Sequence, residues 1–164
     1  KYKTGLTWLL TLRGIPQMYY GTEILMKNFK DPTDAEVRKD FPGGWAADKE
    51  NKFIAASRTN AENEAFDFVK KLANFRKTSS AITTGKLMQY VPQDGVYVYF
   101  RYNSNQTIMV IANTAKEEKK ISFDRFTERT KGFSKYKNAV TQTEGTIKEI
   151  TLGSYETAVL ELLK

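Results

Sequence analysis

Leu12-Arg13-Gly14-Ile15-Pro16-Gln17-Met18-Tyr19-Tyr20-Gly21-Thr22-Glu23-Ile24 is the stretch from which the fold is read. Ile15 to Tyr20 is a short apolar and aromatic run bounded by Gly14 and Gly21. That is the pattern of a fully buried strand, which has no solvent face to alternate with. Pro16 lacks an N–H and belongs at the strand's first residue or beside a gap in the ladder. Gly21 then permits a sharp turn. A helical pattern precedes the run and a long polar loop follows it. Helix, buried strand, loop, helix is the rhythm of a parallel α/β unit.

On the N-terminal side, Leu6, Trp8, Leu9 and Leu10 recur at helical spacing from Thr4 to Leu12, which predicts a helix buried on most sides, capped by Thr4 and ended by Gly14. On the C-terminal side, Leu25 to Arg58 is long for a connection, and long connections are commonly functional or disordered. Thr59-Asn60-Ala61-Glu62 has capping-box spacing, and Ala65, Phe68, Val69 and Leu72 share one face behind it, so a helix runs to about Thr78. Ser79 to Gly85 reads as a linker, with a domain boundary near Thr83.

After Gly85 the period changes from 3.6 to 2. Lys86–Val91, Val96–Tyr102, Thr107–Asn113, Lys119–Phe123, Ile147–Leu152 and Thr157–Leu163 are strand-like, separated by turn chemistry at Pro92-Gln93-Asp94-Gly95, Asn103-Ser104-Asn105 and Gly153-Ser154. Asp124 to Lys131 reads as a short helix capped by Asp124. Strands at this spacing predict an antiparallel sandwich. Tyr97, Tyr99 and Tyr102 fall among its alternating positions and offer one face as a stacking platform, although a half-exposed aromatic on a sandwich is commoner.

Composition excludes several chemistries. The chain has neither cysteine nor histidine, so disulfides, Cys- or His-ligated zinc and Ser-His or Cys-His nucleophilic pairs are all ruled out. No apolar run approaches the roughly 18 residues that span a membrane. The net charge of +7 invites a nucleic-acid reading, but the cations are interleaved with acids, as in Lys116-Glu117-Glu118-Lys119-Lys120, and no recognition motif accompanies them. A solvated surface explains the charge better. The chain starts Lys-Tyr-Lys-Thr without an initiator Met or a signal-peptide pattern, which reads as a piece of a longer protein.

The wording of the opening stretch is more specific than its rhythm. Gly14-Ile15-Pro16-Gln17-Met18-Tyr19-Tyr20-Gly21-Thr22-Glu23 resembles the last barrel strand of the α-amylase family, glycoside hydrolase family 13. The likeness continues into Arg38-Lys39-Asp40-Phe41-Pro42-Gly43-Gly44-Trp45, in the manner of the neopullulanase and cyclomaltodextrinase branch. The resemblance implies an α+β architecture: the last βα unit of a (β/α)8 TIM barrel over residues 1–83, then an all-β sandwich over 84–164. It implies a parent that hydrolyses α-glucans such as starch, maltodextrin or pullulan with retention, and a periplasmic or secreted location.

Retaining hydrolysis needs two carboxyl groups about 5 Å apart, one attacking the anomeric carbon and one protonating the leaving oxygen. In the resembled family these acids and a supporting Asp come from earlier barrel strands, with no counterpart here. No catalytic residue is therefore expected, and the chain alone is expected to be inactive. Glu23, Asp31, Asp34, Glu36 and Asp40 lie in or near the long loop, where solvated carboxylates have no reason to act as acids at neutral pH. The resemblance offers Asp34 and Arg38 as a carboxylate and guanidinium that hold sugar hydroxyls, although Asp31 also matches the family's Asp-Pro. Trp45 on its glycine-supported loop offers a flat face to a glucose ring. Plain structural alternatives are an ion pair for Asp34 and Arg38, a packing anchor for Trp45, and burial in the strand for Tyr19 and Tyr20. No cofactor or metal is expected in this chain; calcium, where the parent carries it, is expected upstream. Two rivals stand beside this reading: a freestanding α-glucan-binding module and a basic nucleic-acid-binding domain. A barrel strand cut from its neighbours would also fold back on the sandwich or self-associate.

Overall fold

A computed structural model describes residues 1–164. The sheet is built around three strands whose central residues are apolar almost without a break: β2 (Val96–Tyr102), β3 (Thr107–Asn113) and β8 (Thr157–Leu163). They lie in a six-stranded antiparallel sheet with β1 (Lys86–Gln89), β5 (Lys135–Asn138) and β6 (Glu144–Thr146), in the order β1-β2-β3-β8-β5-β6. A separate pair is formed by β4 (Lys119–Ser122) and β7 (Glu149–Leu152). The β1–β2 connection closes as a two-residue turn, Asp94-Gly95, both at positive φ, with Gln93 and Val96 exchanging hydrogen bonds at 3.0 and 2.8 Å. That is the primed geometry that matches strand twist.

Register sorts the side chains. Phe100 faces Met109, which faces Leu160; with Val98, Ile111, Ala158 and Leu162 they form one face of the large sheet. Ile121 and Leu152 of the small sheet, with Phe123 and Phe126, complete this core. On the opposite face Tyr99, Val110 and Val159 are aligned and are also buried, because helices lie over them. α1 (Tyr2–Thr11) bonds Thr7 to Thr157 at 2.9 Å and Thr11 to the Tyr99 hydroxyl. α3 (Ser80–Thr84) is anchored by Gln106, whose Oε1 accepts from Ser79 Oγ at 2.7 Å and the Ala81 amide at 3.1 Å. Each fully buried Leu, Ile or Phe is worth about 1.5–3 kcal/mol, so this two-sided sheet is where stability concentrates.

Several expectations are corrected. Ile15 to Tyr20 forms no ladder, Ile15 is 97% exposed, and Tyr19 and Tyr20 are at least 42% exposed. A strand's edges and faces need partners, and this chain supplies none for that run. Thr4 does not cap α1, which starts after Lys1; its hydroxyl donates to the Tyr155 carbonyl at 3.0 Å. α1 is buried on one side only, with Thr4, Leu6, Thr7, Leu10 and Thr11 inward and Leu9 36% exposed. The segment read as a linker is α3, capped by Ser79, with Ala81 and Ile82 at 0 and 1% exposure. Asp124 is not the cap of the following turn; it bonds Ser122, and the 3-10 turn Asp124–Phe126 runs into the short helix α4 (Thr127–Thr130). Tyr99 is fully buried, Tyr97 bonds Gln89, and Tyr102 lies under Arg129, so β2 carries no open aromatic platform.

The chain divides into two compact units, Lys1–Pro16 with Lys71–Lys164, and Gln17–Lys70. The helix α2 (Asn60–Thr78) begins in the loop-rich unit, with its capping box formed as expected: the Thr59 amide donates to Glu62 at 2.7 Å and the Glu62 amide to Thr59 Oγ1 at 3.2 Å.

Candidate functional site

Within Gln17–Lys70 the chain turns back at Gly21, where φ is +80°, and the Met26 amide closes onto the Gly21 carbonyl at 2.9 Å. Tyr19 and Tyr20, just before the turn, stack with ring centroids 4.5 Å apart. The Tyr20 hydroxyl donates to the Lys39 carbonyl at 2.9 Å, and Asn28 donates to the Glu36 carbonyl at 2.8 Å. These bonds draw three loop segments around a cleft of about 480 Å³ lined by Tyr19, Tyr20, Asn28, Lys39, Asp40 and Pro42, among others. An aromatic wall beside an amide, an ammonium and a carboxylate suits a polar ring with one apolar face. No group of three or more acids converges, and one oxygen of Glu23 is buried without a hydrogen-bond partner.

Asp34, Arg38 and Trp45 lie outside that cleft. Asp34 opens the 3-10 turn Asp34–Val37, whose N-cap Thr33 accepts from the Ala35 amide at 3.3 Å. Arg38 ends the same turn. Both are exposed and they do not pair; the ion pair here is Glu36 with Lys39, at 3.1 Å. Trp45 is 68% exposed on a loop shaped by Asp48, whose carboxylate accepts from the Gly43 amide at 2.7 Å and the Trp45 amide at 3.0 Å. Those amides, Trp45's first, hold the Asp48 carboxyl below the usual carboxylate range. Gly43 sits at φ +111°, and a Cβ there would lie 2.4 Å from Asn51 Oδ1, so no other residue fits.

The far end of the loop is tied to the start of α2 by a polar cluster. Lys52 Nζ donates to Glu62 at 3.0 Å and to the Ser57 carbonyl at 2.9 Å, and pairs with Glu50 at 3.1 Å. Arg58 stacks on Phe66 at 3.9 Å and donates to Asn63 at 2.8 Å. The Thr59 amide first, then Lys52, hold the Glu62 carboxyl below its ordinary range, while Glu62 and Glu50 hold the Lys52 ammonium above its own.

Residues 87–161 match the family model described as the cyclo-malto-dextrinase C-terminal domain. The chain is 33% identical over 109 residues to a cyclomaltodextrin glucanotransferase of Klebsiella oxytoca, a match covering 66% of this chain and 15% of that protein. It is 32% identical over 123 residues to a cyclomaltodextrinase of Geobacillus thermopakistaniensis, covering 74% of this chain and 18% of that protein. This chain is similar to the C-terminal part of α-amylase-family proteins. The family's fold is recovered in solved structures as well. An Anoxybacillus α-amylase superposes with a TM-score of 0.76 at 21% identity, over 99% of this chain and 32% of that one. An α-amylase from Geobacillus thermoleovorans gives 0.74 at 22% identity, over 99% of this chain and 33% of that one. The chain thus spans about a fifth or less of the length of the curated relatives it matches.

Sequence reasoning assigned Tyr19 and Tyr20 to a strand interior, weighed Asp40 only as a solvated carboxylate, and assigned no role to Asn28 or Lys39. The available signal was the pair of aromatics directly before a glycine. For Asn28, Lys39 and Asp40 composition gave no sign of a shared cleft, because ordinary surface loops have the same residues.

Proposed function

We propose that this chain closes the catalytic barrel of an α-amylase-type glycoside hydrolase acting on α-glucans by a retaining two-carboxylate mechanism. Residues 1–83 would supply the last βα unit, and 84–164 the sandwich that braces it. What carries this reading is the conflict at Ile15–Tyr20. The run has the composition of a doubly buried strand, yet it forms no ladder, and Ile15, Gln17, Tyr19 and Tyr20 are exposed. Seven of the ten large exposed apolar residues lie between Tyr19 and Ile54, as expected of a surface that the rest of a barrel would cover. The same surface gives this chain alone a tendency to self-associate, which light scattering at several concentrations would detect.

In the parent, Arg38 and Asp34 would contact sugar hydroxyls, a fixed fork of donors beside a carboxylate acceptor, and Trp45 would stack on a glucose ring. The reactive acids, and calcium where the parent binds it, would lie upstream, and the parent would be periplasmic or secreted. The decisive experiment joins this chain to the polypeptide encoded immediately before Lys1 and assays maltodextrin hydrolysis. Activity is expected from the joined protein and none from residues 1–164. Hydrolysis by residues 1–164 alone, lost on Glu23→Gln, would overturn the proposal.

A second reading, a freestanding α-glucan-binding module, is favoured by the stacked Tyr19–Tyr20 pair beside its cleft. It predicts saturable maltoheptaose binding by residues 1–164, weakened by Tyr20→Ala; the first reading predicts none without the remaining barrel.

A further inference from the structure

Two arginines meet at one helix end. The last turn of any helix leaves carbonyls without intrahelical partners, at the negative pole of its dipole. At α1, Arg76 of α2 donates to the Leu10 carbonyl at 2.8 Å and to the Gly14 carbonyl at 2.9 Å. Arg101 of β2 donates to the Thr11 carbonyl at 3.0 Å and to the Gly85 carbonyl, at the end of α3, at 2.9 Å. Thr11 is held twice more: its hydroxyl bonds the Thr7 carbonyl and the buried Tyr99 hydroxyl. Arg101 is 2% exposed, pairs with no carboxylate, and has a buried Nε–H without a partner. A buried cation without an anion is expensive, and an apolar side chain of similar length would avoid that cost. Burial, then the neighbouring Arg76, push the Arg101 guanidinium below its ordinary range, yet helix-end carbonyls remain its only bonded acceptors. A residue retained for packing alone does not need this geometry.

We propose that Arg76 and Arg101 are positioning residues: a two-guanidinium clamp that fixes the C-terminal end of α1, and thereby the point at which the chain runs out through Gly14 to Pro16. Each guanidinium spans two carbonyls of different segments, which a planar fork does and a lysine ammonium, a compact point charge on a flexible stem, does not. Arg76 joins the last turn of α1 to the residue two beyond its cap; Arg101 joins α1 to α3 across β2. The clamp stands on these bonds alone.

Native-state hydrogen exchange on the full chain tests it without any glucan, so its outcome is separate from that of the functional reading. Arg76→Met and Arg101→Met are each expected to cost the amides of Leu10, Thr11 and Leu12 about tenfold or more in protection, the loss set by a hydrogen bond to a charged group. Met109 to Ile111 in β3 should lose clearly less. Arg101→Lys should behave like Arg101→Met. Equal loss in α1 and β3, no loss in α1, or full restoration by lysine would each overturn the clamp. Should Arg101→Met fail to fold, Arg76→Met and Arg76→Lys carry the same expectations at a side chain that is only half-buried.

Discussion

The two units of this chain hold similar residue types by different means. Of its 26 buried apolar residues, only Ile24, Ala65, Phe68 and Val69 belong to Gln17–Lys70, which nonetheless contributes seven of the ten large exposed ones. The β-rich unit is held by area removed from water and by ladder bonds on both sides of each central strand. The loop-rich unit is held by directed polar contacts, Asp48 to the Gly43 and Trp45 amides and Lys52 to Glu62. Apolar burial is non-directional and sums over many contacts, whereas hydrogen bonds add only about 0.5–1.5 kcal/mol each. The loop-rich unit should therefore open first. Each unit has one tryptophan, Trp8 and Trp45, so fluorescence of Trp8→Phe and Trp45→Phe variants reads the two separately.

The largest effect is expected from Leu160→Ala, which empties a fully buried site between Met109 and the small sheet. It should cost the Trp8-reported transition about 2–5 kcal/mol and move the Trp45 transition far less; equal movement of both would merge the units into one cooperative block. Next comes Gly43→Ala. A side chain at φ +111° is strained and meets Asn51, so about 1–3 kcal/mol should be lost from the Trp45 transition alone.

Glu62→Ala removes the capping box and the Lys52 partner, and should cost the loop-rich unit about 1–2 kcal/mol. Acid should imitate it. Because the folded-state carboxyl of Glu62 titrates lower than in the unfolded chain, its contribution is complete above the unfolded pKa and disappears as pH falls through the folded one. The Trp45 transition of the unsubstituted chain should weaken below about pH 4.3, and Glu62→Ala should reduce that acid limb, leaving the part that Asp48 contributes. The smallest effect is expected at Trp45→Ala, an exposed ring whose backbone amide keeps its bond to Asp48. Thermal unfolding by circular dichroism should change by less than about 0.5 kcal/mol; a larger loss would make Trp45 a packing anchor and weaken its reading as a sugar-facing ring.

Local signals were legible where the deciding contact is close in sequence. The bounds of β2, β3 and β8 follow from short β-branched and aromatic runs between turn residues, and the Thr59–Glu62 box from a spacing of three. β5 and β6 were not legible: Lys135–Asn138 is half charged, and Glu144–Thr146 is three residues on a sheet edge. Both strands exist because β8 offers β5 a free edge, a fact that lies at a distance of over twenty residues. The candidate site divides the same way. The glycine-supported loop under Trp45 was readable, whereas the cleft beside Tyr20 depends on a bond to Lys39 across nineteen positions.

By itself the sequence determined the antiparallel β domain, the α2 helix start, the absence of thiol and imidazole chemistry, and the resemblance to the α-amylase family. Tertiary structure alone decided that α1 lies on the sheet, that α3 is buried rather than a linker, and that Ile15–Tyr20 goes without a ladder. The physical reason is that a pattern records which side chains prefer to leave water, while burial requires a second surface, and only the assembled chain says whether that surface is present.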